Sequence, residues 1–150
     1  MRIKVHDYEE PKFFRGAAED CYRVSRICSL EKLTVGQIHN ACRIVLVESG
    51  QAYYQIRGET YVAEERDVLV IGPVEYYRCQ ITRPPYQRYS LLVDPACLEN
   101  FLVDEDLLRV FATPGRKQFE KYMKRLEPEN FERLRELFER LKSEKEIRSD

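Results

Sequence analysis

Between residues 36 and 77 the chain alternates short apolar runs with glycine and polar turns, in the stretch GQIHNACRIVLVESGQAYYQIRGETYVAEERDVLVIGPVEYY. Residues 43–47 are a nearly continuous, β-branched apolar run, which suits a buried strand better than a helix. Ser49-Gly50 breaks it. Tyr53, Tyr54 and Ile56 mark a second strand over 52–57, and Arg57-Gly58 turns the chain again. Residues 61–63 are a third run, 64–66 a polar turn, and 68–71 a fourth strand before a bend at Gly72-Pro73. Strands this short, punctuated by glycine, predict a small antiparallel barrel or sandwich. Upstream, 21–28 (CYRVSRIC) sets Tyr22 and Val24 against Arg23 and Ser25, the alternation of a half-buried strand. Downstream, 79–81 continues as strand. Arg83-Pro84-Pro85-Tyr86 predicts a loop, because proline cannot donate to a ladder, and 88–93 is a further strand.

After residue 93 the period changes. Asp94 followed by Pro95 is a helix start, with Asp as N-cap and Pro at the first helical position. Leu98, Phe101 and Leu102 then form a helical stripe. Asp104 caps a second short helix with Leu107, Leu108 and Phe111 inward, ended by Pro114-Gly115. Phe119, Tyr122, Met123 and Leu126 make a third. Pro128 opens a fourth, with Phe131, Leu134, Leu137, Phe138 and Leu141 on one face and the pairs Glu129–Arg133 and Glu136–Arg140 on the other. The three-four-three spacing fits either a helix packed on its own barrel or a short self-association seam. On the second reading Phe131, Leu134, Phe138 and Leu141 are dimerisation residues. The stripe is lost after Leu141. The chain thus divides into an N-terminal arm (1–20, with Phe13 and Phe14 packed on the barrel), a β-barrel (21–94), a helical dimerisation or packing segment (95–142) and a solvated tail or linker (143–150).

Composition narrows the function. One hundred and fifty residues favour one domain, and 43% hydrophobic residues suffice for a core. With 25 basic and 26 acidic residues the net charge is −1, which gives no electrostatic reason to grip nucleic acid or an anionic membrane. No apolar run is long enough to span a bilayer, and the start, MRIKVHDYEE, lacks an apolar signal segment, so a cytoplasmic location is expected. Cys21, Cys28, Cys42, Cys79 and Cys97 form no Cys-x-x-Cys pair. They read as reduced thiols used as small apolar residues, with a redox sensor as the minor alternative.

The spacing Gln37-Ile38-His39, Arg43, Gly50, Gly58, Tyr61, Glu65-Arg66-Asp67, the apolar 68–71 and Pro73-Val74-Glu75-Tyr76-Tyr77 resembles the core of a cupin barrel. More narrowly, it resembles the effector-binding domain of AraC-type bacterial transcription regulators, and QRYSLLVDPACLENFL over 87–102 is similar to that family's next strand and helix. The resemblance covers residues 20 to 142. It implies a mainly β fold, a cupin-like double-stranded β-helix (jelly-roll barrel) followed by C-terminal α-helices. It further implies an effector-sensing, homodimeric half-regulator whose DNA-binding helix-turn-helix domain lies beyond this chain, with an N-terminal arm able to fold over bound effector. A metal-binding cupin of this pattern carries two His, a Glu and a later His where this chain has Gln37, His39, Arg43 and Tyr77. A divalent ion needs several deprotonated ligands, and a fixed guanidinium beside them opposes it, so neither metal nor cofactor is expected.

In a regular strand Gln37, His39, Ala41 and Arg43 share one face, which the cupin comparison places inside the barrel. An inward Arg is costly unless it is paired. It therefore meets a buried carboxylate such as Glu75, reaches water at the barrel mouth, or awaits an anionic or polar ligand, carboxylate being the bidentate match. His39 has no nucleophile or acid at readable spacing and is given no catalytic role. Tyr54 and Tyr77 point into the same cavity on this reading. The ligand-binding candidates are thus Gln37, His39, Arg43, Tyr54 and Tyr77, for a small effector such as a sugar or carboxylate. Two alternatives stand beside this: a metal-free cupin enzyme of the sugar epimerase or isomerase kind using His39 and Tyr77, and a ligand-free dimerisation module with a filled core.

Overall fold

The computed structural model describes residues 3–5, 22–94 and 122–149. In chain order these form β1 (Ile3–Val5), β2 (Tyr22–Ser29), β3 (Thr34–Gln37), β4 (Cys42–Ile56), β5 (Glu59–Ala63), β6 (Asp67–Ile71), β7 (Tyr77–Val93), β8 (Met123–Arg125) and α1 (Pro128–Ser149). Apart from Ile3–Val5, the arm with Phe13 and Phe14 lies outside the described residues, as do Phe119 and the helices expected over 95–121.

Two long strands organise the rest. β4 and β7 pair antiparallel along most of their length, and both bend in the middle. The leading half of β4 and the trailing half of β7 run beside β2 and β6, with β8 beyond. Their other halves run beside β3 and β5, with β1 at the edge. One hydrogen-bonded sheet therefore folds over itself into two layers. Between the layers lie Val45, Val47, Leu69 and Ile71 from one side and Tyr54, Ile56, Tyr61, Tyr77, Ile81 and Tyr86 from the other. The fold is mainly β and cupin-like, as the sequence implied.

Two expected interruptions are bends within continuous strands. Ser49-Gly50 does not end its strand: the register slips between Val47 and Ala52, and Gly50 takes the bend at φ +83°. Nor does Pro84-Pro85 form a loop. β4 pairs Gln51 with Arg83 and then Ser49 with Gln87, so the two prolines sit where that ladder skips and their missing N–H groups are not called on. By contrast Arg57-Gly58 is the expected turn, a two-residue hairpin with φ +51° and +80°, both left-handed. A side chain at Gly50 would meet the Pro85 carbonyl, with the Arg83 carbonyl 2.7 Å from its Cβ. Gly50→Ala should therefore cost roughly 2–4 kcal/mol, from left-handed strain plus overpacking, in a urea denaturation series.

The C-terminal part covers the outer face of the layer formed by β2, β4, β6 and β7. Tyr122, Met123 and Leu126 were expected on a helix, but residues 123–125 are a strand antiparallel to β6. Arg125 fixes it, with Nε 2.9 Å from Oδ1 and Nη2 3.0 Å from Oδ2 of buried Asp67. Apolar residues at these spacings suit either element, and the waiting edge of β6 decides. Pro128 starts α1 as expected, with Glu129 favourably placed in its first turn. Its stripe lies on Ile44, Leu46, Val68, Tyr89 and Leu91, burying Leu134, Leu137 and Phe138, with Phe131 and Leu141 half-buried beside them. This is the packed reading of the stripe. The seam reading placed Leu134 and Phe138 against a second copy, yet each is at most 1% exposed on its own barrel. The backbone stays helical to Ser149, through the stretch expected to be a tail.

Candidate functional site

β3 ends at Gln37 and β4 starts at Cys42, so the regular strand expected over 37–43 is interrupted at 38–41. The side chains converge all the same. Arg43 lies on the inward face of β4, two positions before Val45, and its guanidinium is enclosed by Gln37, His39, Tyr77 and Ser90. Nε donates to Ser90 Oγ at 3.0 Å. Nη1 donates to Gln37 Oε1 at 2.6 Å and to the Tyr77 hydroxyl, and stands 2.8 Å from His39 Nε2. Tyr77 in turn donates to Gln37 Oε1 at 2.6 Å and lies 3.1 Å from His39 Nε2. The cluster is packed by rings, with His39 and Tyr77 centroids 5.9 Å apart and the Arg43 guanidinium carbon 5.8 Å from the Tyr77 centroid.

Arg43 is only 7% exposed, yet each hydrogen-bond partner is an amide, an imidazole or a hydroxyl. The carboxylate expected to meet it is engaged elsewhere. Glu75 takes Arg57 Nε at 2.9 Å, the Tyr122 hydroxyl at 2.6 Å and the Gly72 amide at 3.2 Å. Among the described residues the partners of Arg43 satisfy hydrogen bonds without a carboxylate to cancel the charge, and a buried cation lacking a counter-charge is expensive. Burial pushes the Tyr54 hydroxyl well above its usual range and raises Tyr86 as well.

Tyr54 belongs to the next layer of the interior. Its hydroxyl pairs with Tyr86 at 2.7 Å, and its ring centroid is 6.0 Å from that of Tyr77. Of the five expected ligand residues, Gln37, His39, Arg43 and Tyr77 thus form one network, and Tyr54 backs it. The residues sequence reasoning missed are on the neighbouring strands. A cavity of about 170 Å³ beside Arg43 is lined by Arg23, Ser25 and Ile27 of β2, His39, and Ser90 and Leu92 of β7. Arg23 pairs with Leu92 and Ser25 with Ser90, so alternation along β2 carries three side chains to the same face as Arg43. That alternation was visible in CYRVSRIC. What was missing was the pairing that turns the face inward.

Among the described residues no group of three or more His, Cys, Asp or Glu side chains is placed to hold a metal. At the position matching the cupin metal site the centre of the network is a guanidinium, which opposes a divalent ion. Elsewhere, burial and a hydrogen bond to Glu139 push Tyr89 up to about 12. A phenol raised in the fold stabilises it fully below its unfolded value near 10, and that contribution is lost as pH climbs through the folded value. Stability should therefore fall between about pH 10 and 12. Urea midpoints across that range should show less of this fall in Tyr89→Phe.

A two-layered β fold with an inward polar cluster at one end and a helix on its outer face is cupin-like in form, its sheet open among the described residues. Residues 35–150 match the family described as the AraC-like ligand binding domain, and the chain belongs to that family. It is thus a ligand-binding regulatory domain. Among solved structures it is similar to ToxT from Vibrio cholerae O395, bound to (E)-4-(8-methylnaphthalen-1-yl)but-3-enoic acid. The TM-score is 0.55 at 9% identity, over 79% of this chain and 48% of ToxT. A cupin superfamily protein from Desulfitobacterium hafniense aligns with TM-score 0.47 and 14% identity, over 52% of this chain and 72% of that one. The Cupin_2 domain of an XRE family transcriptional regulator from Enterobacter cloacae aligns with TM-score 0.46 and 18% identity, over 50% and 83%. No curated protein matches the sequence. Among the described residues no helix is long and apolar enough to cross a membrane.

Proposed function

We propose that this domain senses a small anionic or polar effector held inside the barrel by Arg43, with Gln37, His39 and Tyr77 fixing the guanidinium and Tyr54 backing the network. The observation that carries the reading is a buried arginine with no carboxylate partner among the described residues. A ligand that brings negative charge to it offsets a cost the empty domain bears alone. The carboxylic acid bound by ToxT is of the same charge type, though the likeness to ToxT extends to the fold alone.

The domain acts on this reading as a regulator and not as an enzyme. His39 and Tyr77 are the pair an epimerase would need, but both stand against Arg43 Nη1, which engages the groups that would move protons. A homodimer in the cytoplasm, with DNA reached through a separate domain, completes the proposal. Since Leu134 and Phe138 are covered by their own barrel, half-buried Phe131 and Leu141 are the parts of the stripe that a second copy could reach.

Native mass spectrometry of the domain after incubation with cell extract tests the sensor reading. A small-molecule adduct on the wild type that is absent from Arg43→Gln is the expected result. An adduct retained by Arg43→Gln, or none on either protein, would sink it.

A further inference from the structure

Resting on the sensor reading, we infer the class of effector: a short-chain monocarboxylate of about six heavy atoms, seated beside Arg43 on the common face of β2, β4 and β7. Size sets the first limit. The cavity beside Arg43 holds about 170 Å³. At roughly 30 Å³ per water-sized atom, that is room for about six. A long acyl chain or a fused ring system would project beyond it, past exposed Arg23.

The donors set the second limit. Arg43 spends Nε on Ser90 and Nη1 on Gln37, His39 and Tyr77, while Nη2 makes none of these bonds. Ser90 Oγ accepts from Arg43, which leaves its own O–H to donate. Arg43 and Ser90, on adjacent strands, therefore border the same small space together with Arg23, and among the described residues no Asp or Glu lines it. Such a lining suits an acceptor-only head group. Carboxylate matches it, whereas a sugar, which must also donate, finds no acid to receive its hydroxyls.

The walls set the third. Ile27 and Leu92 are the apolar residues of a lining that also holds Arg23, Ser25 and His39, and they suit a short hydrocarbon body behind the head group. A compact, fully polar anion such as phosphate would leave them unused. A larger groove of about 590 Å³ lies on the outside, lined by Gln55, Arg57, Val74, Glu75, Tyr76 and Arg78. Its Arg57 is already neutralised by Glu75, and Arg43 does not line it.

Titration calorimetry of the whole chain with four probes tests this: butyrate, octanoate, glucose and inorganic phosphate. Butyrate should bind at least about tenfold more tightly than each of the others. Ser90→Ala should weaken butyrate about tenfold, and Ile27→Trp, which fills the cavity from a half-buried position, should abolish it. Circular dichroism checks that both variants fold, and the wild-type series stands without them. Octanoate, glucose or phosphate bound as tightly as butyrate, and lost in Arg43→Gln, would overturn the short-chain class while leaving the sensor reading intact. No Arg43-dependent binding of any probe would overturn this inference, and the extract experiment above then decides the sensor reading separately.

Discussion

Replacing Arg43 by methionine should leave the empty domain as stable as the wild type, or more stable by about 1–4 kcal/mol, while weakening effector about 100-fold. The two halves of that expectation have one cause. Arg43 is buried among Gln37, His39, Tyr77 and Ser90, and among the described residues no carboxylate bonds to it, so its charge is desolvated without a matching Coulombic gain. Methionine fills a similar volume and removes the charge. The groups left behind keep each other, because Tyr77 still donates to Gln37 at 2.6 Å and stays 3.1 Å from His39. Within this cluster Ser90 loses its partner, and it borders a cavity that water can enter. Urea denaturation without ligand, paired with titration of effector, separates the two effects. A loss of more than about 3 kcal/mol without ligand would mean that the arginine is there for the fold. Stability given up at a binding site is a common trade in natural domains, and Arg43 is where this chain makes it.

The inward cluster was legible because Gln37, His39 and Arg43 are two and four residues apart and an inward guanidinium demands a partner, although the chain leaves the strand between 38 and 41. Which partner was not legible. Glu75 lies close enough along the chain to be plausible, but the 72–76 loop turns it to Arg57 and Tyr122, with Val74 donating to the His39 carbonyl at 2.6 Å and taking a left-handed φ of +60°. Ser90 and Ser25 escaped notice for a related reason. Serine on a half-polar strand carries no signal until the register sets Ser25 opposite Ser90 and both beside Arg43. The bends at Gly50 and Pro84-Pro85 were visible as breakers, yet a breaker in one strand of a folded-over sheet marks a corner as readily as an end. Residues 123–125 show the opposite failure. Their spacing looked helical, and a salt bridge to Asp67, 58 positions earlier, made them a strand.

Phe138→Ala should lower stability by about 3–5 kcal/mol and loosen α1 before the barrel. Phe138 is fully buried on the outer face of the sheet, edge-on to Tyr89 with ring centroids 5.7 Å apart, and sits among Leu134, Leu137, Leu46 and Leu91. Removing the ring leaves a cavity that strand side chains, fixed by the ladder behind them, cannot collapse to fill. The helix has other anchors. Tyr89 donates to Glu139, and the Tyr22 hydroxyl reaches the Leu141 carbonyl at 3.4 Å. Neither replaces the buried area of an aromatic ring. Hydrogen exchange should therefore report faster amide exchange over 131–141 than over β4 and β7, whose central pairing lies on the other side of the lost contact. Uniform acceleration across helix and sheet would show instead that α1 and the barrel unfold as a single unit. In that case the outer-face core around Tyr22, Ile44 and Val93 is part of what holds Arg43 in place. Butyrate affinity in Phe138→Ala then distinguishes the outcomes: unchanged if only α1 loosens, reduced if the site opens with it.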